Sequence, residues 1–277
     1  MRQFTLINAN GETYDITEVK KSFFHTVKGL GFAEENTYQR VGNRFVMLSN
    51  RKKQREISGE LRFWNPGAQA EYENFIKFTQ ILPIQIAYTP INKTYYAKGT
   101  ITEVAYEEKE ALTVSVKFKQ TTPFFEKVNV VTYPTDENHV GKIYNYKYPY
   151  VYSSSVSNTV VINMDTSEES PCRLSIYGAV QNPTWKHYVN NVLVATGGIT
   201  GNIPAGNRLV IDTTSDTFSM LQLDPLNNIV ADMYQASDFG TERAIYLQRG
   251  QNRITIEDDG SNKVTVVSEA EIYHASV

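Results

Sequence analysis

Cysteine is almost missing from this chain: Cys172 is the only one in 277 residues. That excludes an intrachain disulfide framework and any multi-cysteine zinc site, and suits a protein made in a reducing cytosol. Cys172 follows Pro171 at the start of an apolar run, which reads as a buried thiol and not an activated nucleophile. Histidine is scarce too, and His25, His139, His187 and His274 are scattered, with no pair at helical ligand spacing. Gly-x-Ser-x-Gly elbows, phosphate-binding loops and dinucleotide fingerprints are absent, and Gly198-Ile-Thr-Gly201 reads as a turn. No enzyme, cofactor or metal site is therefore assigned. Asp224, Asp232, Asp258 and Asp259 lack calcium-loop spacing. No apolar run approaches the length of a signal peptide or membrane span, so the expectation is a soluble protein, not exported by the usual route and not in a membrane.

Helix is also in short supply. The one convincing helix, about residues 66–80, has Asn65 as its cap and Pro66 in its first turn. Ala68, Tyr72, Phe75, Ile76 and Thr79 lie on one of its faces. Alternating strands flank it, with Ile57, Gly59, Leu61 and Phe63 before and Leu82, Ile84, Ile86 and Tyr88 after.

What is abundant is aromatic: 18 tyrosines and 13 phenylalanines, residues favoured in sheets and at interfaces. Charge is uneven. Up to Tyr133 there are 18 Lys and Arg against 14 Asp and Glu, and beyond it 9 against 16. The split supports two modules, 1–133 and 134–277, and is too mild to argue for nucleic-acid binding.

In the first module, residues 3–16 read as a hairpin with an Asn10-Gly11 turn, and 95–104 with 112–119 as a longer one. Between Ser22 and Asn50 one strand is predicted, around Arg44 to Leu48. The basic run Arg51-Lys-Lys-Gln-Arg55 reads as a solvated edge. In the second module ten short strands are predicted: 160–164, 172–177, 185–189, 192–195, 209–212, 218–223, 229–234, 245–247, 253–257 and 264–273. Polar turns separate them at roughly ten-residue spacing, the pattern of an antiparallel sandwich or jelly roll.

Two aromatic features have more than one reading. Tyr144, Tyr146, Tyr148, Tyr150 and Tyr152 alternate, so an extended chain would point all five rings one way, for packing within or between subunits or for stacking on sugar. Trp185, with Tyr188, would stack on a saccharide if exposed; the commoner fate of so large a ring is the core.

The order of features resembles the distal tail protein family of long-tailed, non-contractile bacteriophages of Gram-positive hosts and their prophages. The resemblance rests on Asn10-Gly11 with Tyr14, Gly29-Leu-Gly31, Ile57-Ser-Gly-Glu-Leu-Arg-Phe63 leading into the Tyr72/Phe75 helix, and Val116-Lys-Phe118 leading to Thr122-Pro-Phe-Phe125. It continues in Asn182-Pro-Thr-Trp185, Gly206-Asn-Arg-Leu-Val-Ile-Asp212 and Leu247-Gln-Arg-Gly-Gln-Asn-Arg-Ile254. It implies a mainly β protein, with a split-barrel-like, tail-tube-like N-terminal module carrying one helix and a galectin-like or carbohydrate-module-like C-terminal sandwich. It further implies a homohexameric ring at the distal end of the tail, made in the host cytoplasm and carried in the virion. The implied partners are the tail tube protein, a tail-associated tip protein, receptor-binding proteins and, in the alternative reading, host cell-wall saccharide. Nucleic acid enters only as the genome passing through the ring. Residues 3–16 and 95–119 are the expected ring contacts, and no segment is left over for a long sugar-binding insertion.

Overall fold

The computed structural model describes residues 2–18, 21–32, 34–64, 66–107, 111–132, 158–166, 168–260 and 264–277. Two units are distinguishable by their internal contacts: Met1–Glu126 with Tyr273–Val277, and Lys127–Ile272. The chain is mostly β, with a single α-helix among the described residues.

The first unit opens with the expected hairpin, β1 (Gln3–Ile7) and β2 (Thr13–Asp15). Asn8 holds its turn, accepting at Oδ1 from the amides of Asn10 and Glu12 at 3.1 and 3.0 Å. Next come β3 (Ser22–Lys28), β4 (Glu34–Val41), β5 (Arg44–Lys52), β6 (Glu56–Phe63), α1 (Ala68–Thr79), β7 (Ile84–Thr89), β8 (Tyr95–Glu107) and β9 (Thr113–Gln120). The chain leaves the unit within β10 (Phe124–Thr132).

Seven strands pair antiparallel in the order β2-β1-β7-β8-β9-β6-β3. β8 forms the corner, its first half on β7 and its second on β9, with a register shift between Ile101 and Glu103. Ile16 draws the two open edges together: its amide donates to the Phe4 carbonyl at 3.1 Å, and its own carbonyl accepts from the Phe24 amide at 2.7 Å. The result is a split barrel. Alternation places Ile84, Ile86 and Tyr88 inside with Phe4, Leu6, Ile57, Leu61, Val114, Val116 and Phe118. Leu82 was expected on that face but is exposed, because the chain is still turning there and β7 starts only at Ile84.

The helix adds Ala68, Phe75 and Phe78 to this core, with Tyr72 and Ile76 half-buried against it, the three-and-four spacing of a one-sided helix. It starts two residues later than predicted. Gly67, at φ 102°, is the N-cap, and Asn65 lies outside the described residues.

The second unit is an antiparallel β-sandwich. It comprises β11 (Thr159–Met164), β12 (Ser170–Tyr177), β13 (Val180–Gln181), β14 (Thr184–Val189), β15 (Val192–Gly198), β16 (Asn202–Ile203), β17 (Arg208–Asp212), β18 (Ser219–Leu223) and β19 (Ile229–Asp232). A 3-10 turn at Tyr234–Ala236 then precedes β20 (Tyr246–Leu247), β21 (Gly250–Glu257) and β22 (Val266–His274), which carries the chain back to the first unit after Ile272. One sheet is ordered β11-β21-β14-β15, the other β19-β18-β17-β12-β22. Val160, Ile162, Trp185, Ile254 and Ile256 of the first sheet pack against Leu174, Ile176, Leu209, Ile211, Met220 and Val266 of the second. The ten predicted strands are all present with bounds moved by a few residues. The run 229–234 ends early because the chain enters the 3-10 turn at Tyr234.

Candidate assembly surface

The feature of the first unit that its core does not explain is the excursion between β3 and β6. Lys28, the last residue of β3, still pairs with Ser58 of β6. Gly29 follows at φ 89°, so close to β6 that a Cβ would collide with the Glu56 carbonyl, and only glycine fits. The chain then runs out and back as β4 and β5, paired from Glu34–Lys52 to Val41–Arg44 across a Gly42-Asn43 turn. Glycine first in a two-residue loop is the composition of a tight hairpin turn. At about 3.4 Å per residue, eight residues give a ribbon roughly 27 Å long.

None of its side chains joins the barrel core. Phe45 is 70% exposed and Leu48 61%, and Tyr38, Val41, Val46 and Met47 are exposed as well. Residues opposite one another across a ladder share a face. Tyr38 lies opposite Met47 and Arg40 opposite Phe45 on one face, whereas Gln39 lies opposite Val46 and Val41 opposite Arg44 on the other. Both faces are therefore apolar, and β4–β5 is a two-stranded sheet of its own among the described residues. An exposed, long, apolar edge is what a soluble monomer avoids and a partner uses.

The sequence reading missed this ribbon. It found one strand near Arg44 to Leu48 and read Arg51 to Arg55 as a solvated edge or flexible loop; Arg51 and Lys52 are the exposed end of β5, and the residues after them lie outside the strand. The available signal was Phe45-Val-Met-Leu48: four consecutive apolar residues describe a strand covered on both faces, yet all four are exposed. The segments expected to make ring contacts carry less open apolar surface. β1 lies between β2 and β7 with Phe4 and Leu6 buried, and β9 lies between β6 and β8 with Val114, Val116 and Phe118 buried.

Trp185 is fully buried and presents no face to a sugar, which corrects the stacking assignment in favour of the core anchor. Tyr188 is half-buried, and the Arg253 guanidinium lies 4.4 Å from its ring centroid, covering one face. Tyr144, Tyr146, Tyr148, Tyr150, Tyr152 and His139 lie outside the described residues. Asn182, Lys186, Thr196, Ile199, Asp238 and Asp259 are among the residues that line an open cleft of about 440 Å³ at β14 and β15.

Two of the four acids that lack calcium-loop spacing, Asp224 and Asp259, accept hydrogen bonds from neighbouring residues. Asp224 Oδ1 accepts from the amides of Leu226 and Asn228, both at 2.8 Å, and Asp259 Oδ2 accepts from Asn182 Nδ2 at 2.8 Å. Among the described residues no three His, Cys, Asp or Glu side chains converge as metal ligands would. Cys172 is buried, and its Sγ donates to the Ile245 carbonyl at 3.6 Å.

Residues 3–121 match the family model of the distal tail protein, N-terminal domain. No curated protein matches the chain. Among solved structures, a chain of the phage P2 baseplate in its activated conformation with calcium is similar over 100% of both chains, at 15% identity and a TM-score of 0.67. The same baseplate with strontium gives the same values. The SPP1 Dit protein, described as a paradigm of the hub adsorption apparatus in phages infecting Gram-positive hosts, is similar over 97% of this chain and 98% of its own, at 9% identity and a TM-score of 0.64. Residues 3–121 thus match the N-terminal domain of the distal tail protein, and the chain shares its fold end to end with a phage P2 baseplate chain and the SPP1 Dit protein.

Proposed function

We propose that this chain is a structural hub of a phage tail tip: six copies close as a ring, contacting the tail tube protein above and the tail-associated tip protein below. Receptor-binding proteins attach at its rim, the genome passes through its opening, and it carries out no catalysis. The observation that carries the reading is the match of residues 3–121 to the distal tail protein domain, within a chain similar end to end to a baseplate component and a hub protein. The exposed β4–β5 ribbon supports assembly, since a free monomer would leave that apolar surface in water. The test is the mass of the purified full chain by light scattering on a sizing column, with negative-stain images of the same peak. A ring of six is expected; a monomer at every concentration would sink the reading.

A second reading, attachment to host saccharide through the sandwich, draws on the mixed cleft at β14 and β15, whose amide, hydroxyl and carboxylate groups suit a polyhydroxylated ligand. Binding of the full chain to cell-wall polysaccharide, weakened by Thr196→Val with Asn182→Ala, is its expected result. No binding across a glycan panel would remove it.

A further inference from the structure

We propose that the β4–β5 ribbon is the clasp between subunits, and that its occupant is a second copy of this chain: the β4 edge of one copy lies antiparallel along the β5 edge of the next. The inference rests on the hub reading and names the surface that closes the ring.

Three observations converge. First, β4 and β5 pair with each other and with no third strand among the described residues, so the ribbon has two outer backbone edges. Outer edges invite strand addition. In a ring with rotational symmetry every ribbon points the same way along the axis. Because β4 and β5 are antiparallel, β4 of one copy beside β5 of its neighbour is again an antiparallel pair. The contact is heterologous, using one edge on each side, and it closes when the last copy meets the first. Six ribbons would give a twelve-stranded closed sheet with no free edge.

Second, the charges at the base of the ribbon are segregated by strand. β4 carries Glu34 and Glu35, while Arg51 and Lys52 stand at the same level on β5. Neighbouring β4 and β5 edges in such a ring therefore bring acid beside base. The pattern fits the head-to-tail arrangement.

Third, the middle of β5 is the four-residue apolar run Phe45-Val-Met-Leu48, and its side chains are exposed on both faces. This is the composition of a strand inside a sheet, not of a sheet edge in water. Continuing the sheet through neighbouring copies supplies cross-strand partners for each of these side chains.

The experiment uses the full chain and three variants: Phe45→Glu with Leu48→Glu, Glu34→Lys with Glu35→Lys, and Arg51→Glu with Lys52→Glu. Because the ribbon lies outside both cores, far-ultraviolet circular dichroism should be unchanged in all three and each should still unfold cooperatively, with the melting temperature lowered only by what assembly contributes, which separates lost assembly from lost folding. The Phe45/Leu48 variant is expected to fall sixfold in mass, to the monomer. Each charge variant alone should lose the ring, because its two edges become alike. An equimolar mixture of the two charge variants should regain it with alternating copies, an arrangement an even-numbered ring allows. If the native chain forms rings and the Phe45/Leu48 variant forms them equally well, the clasp is wrong and the hub reading stands. If the mixture does not regain rings, edge-to-edge pairing is overturned. If the native chain forms no ring, the hub reading falls and the clasp with it.

Discussion

Trp185 of β14 lies directly opposite Gly197 of β15, and the two are fitted so closely that a Cβ on Gly197 would sit 2.6 Å from Trp185 Cε2 and 2.8 Å from Nε1. The missing side chain makes room for the indole, which is fully buried in the sandwich core. Gly197→Ala is therefore expected to destabilise the second unit by about 1–3 kcal/mol through overpacking. Trp185→Ala should cost about 3–5 kcal/mol through the cavity it leaves. Urea unfolding followed by circular dichroism measures both; a Gly197→Ala variant as stable as the native chain would show that the strands can separate without cost.

Asp212, at the end of β17, joins the two sandwich strands β17 and β12 electrostatically. Burial alone would raise its carboxyl, but the Thr214 hydroxyl, the Arg173 guanidinium and the Thr214 amide all donate to it, and with the Arg173 charge they hold it below the usual carboxylate range. A group depressed in the folded state contributes stability above its unfolded value near 3.9, and that contribution disappears as pH falls through the folded value. Asp212→Asn should cost about 1.5–3 kcal/mol at neutral pH, the range for hydrogen bonds to a charged group. Near pH 2 the same substitution should cost far less. Melting curves at the two pH values decide it, and an equal cost at both would assign the effect to packing.

Much of this fold is legible in the sequence because its strands are one-sided. Leu61 and Phe63, or Ile254 and Ile256, alternate with polar neighbours, and each pair turns out to face a core. The β1–β2 hairpin was readable from Asn10-Gly11, and the helix from its stripe of Ala68, Tyr72 and Phe75. The β4–β5 ribbon was not, because Phe45 to Leu48 do not alternate. A strand whose side chains are exposed on both faces has no inner and outer face for a pattern to mark. Trp185 was ambiguous for a different reason: a large aromatic in a strand serves a core or a surface equally well, and what places it inside is Gly197, twelve residues away and opposite it only once the sheet has formed. Tyr188 was equally hard to place, since the cation over its ring comes from Arg253 on another strand.

Cys172 should be inert in the folded chain. Burial, reinforced by the nearby Asp212 charge, pushes its thiol up to about 12. Since the thiolate is the reactive species, its population near pH 8 falls by roughly 10³-fold relative to a free thiol. Ellman's reagent is expected to find no thiol in the native protein and one per chain in guanidinium. Rapid labelling without denaturant would mean that the sandwich opens around β12 far more readily than its buried core implies.

His187 of β14 is the group through which mild acid should act on the sandwich. The Asn252 side chain fixes its tautomer. Asn252 Nδ2 donates to the carbonyls of Gln248 and Gly250, at 2.7 and 3.2 Å, so its Oδ1 is the acceptor facing His187. His187 Nε2, 3.0 Å from that oxygen, must therefore carry the proton, and the neutral ring already satisfies the contact. Burial lowers the imidazole from its ordinary value and outweighs the opposing effect of the Asn252 hydrogen bond. With the folded value below the unfolded one near 6.5, the unfolded chain binds more protons in between. Stability is then complete above about pH 6.5 and declines as pH falls below it, by at most about 1.4 kcal/mol per pH unit for this one group. His187→Gln keeps a donor for Asn252 but cannot titrate, so its stability should fall less between pH 7 and pH 5 than that of the native chain. Parallel losses in the two proteins would place the acid sensitivity on the carboxylates instead.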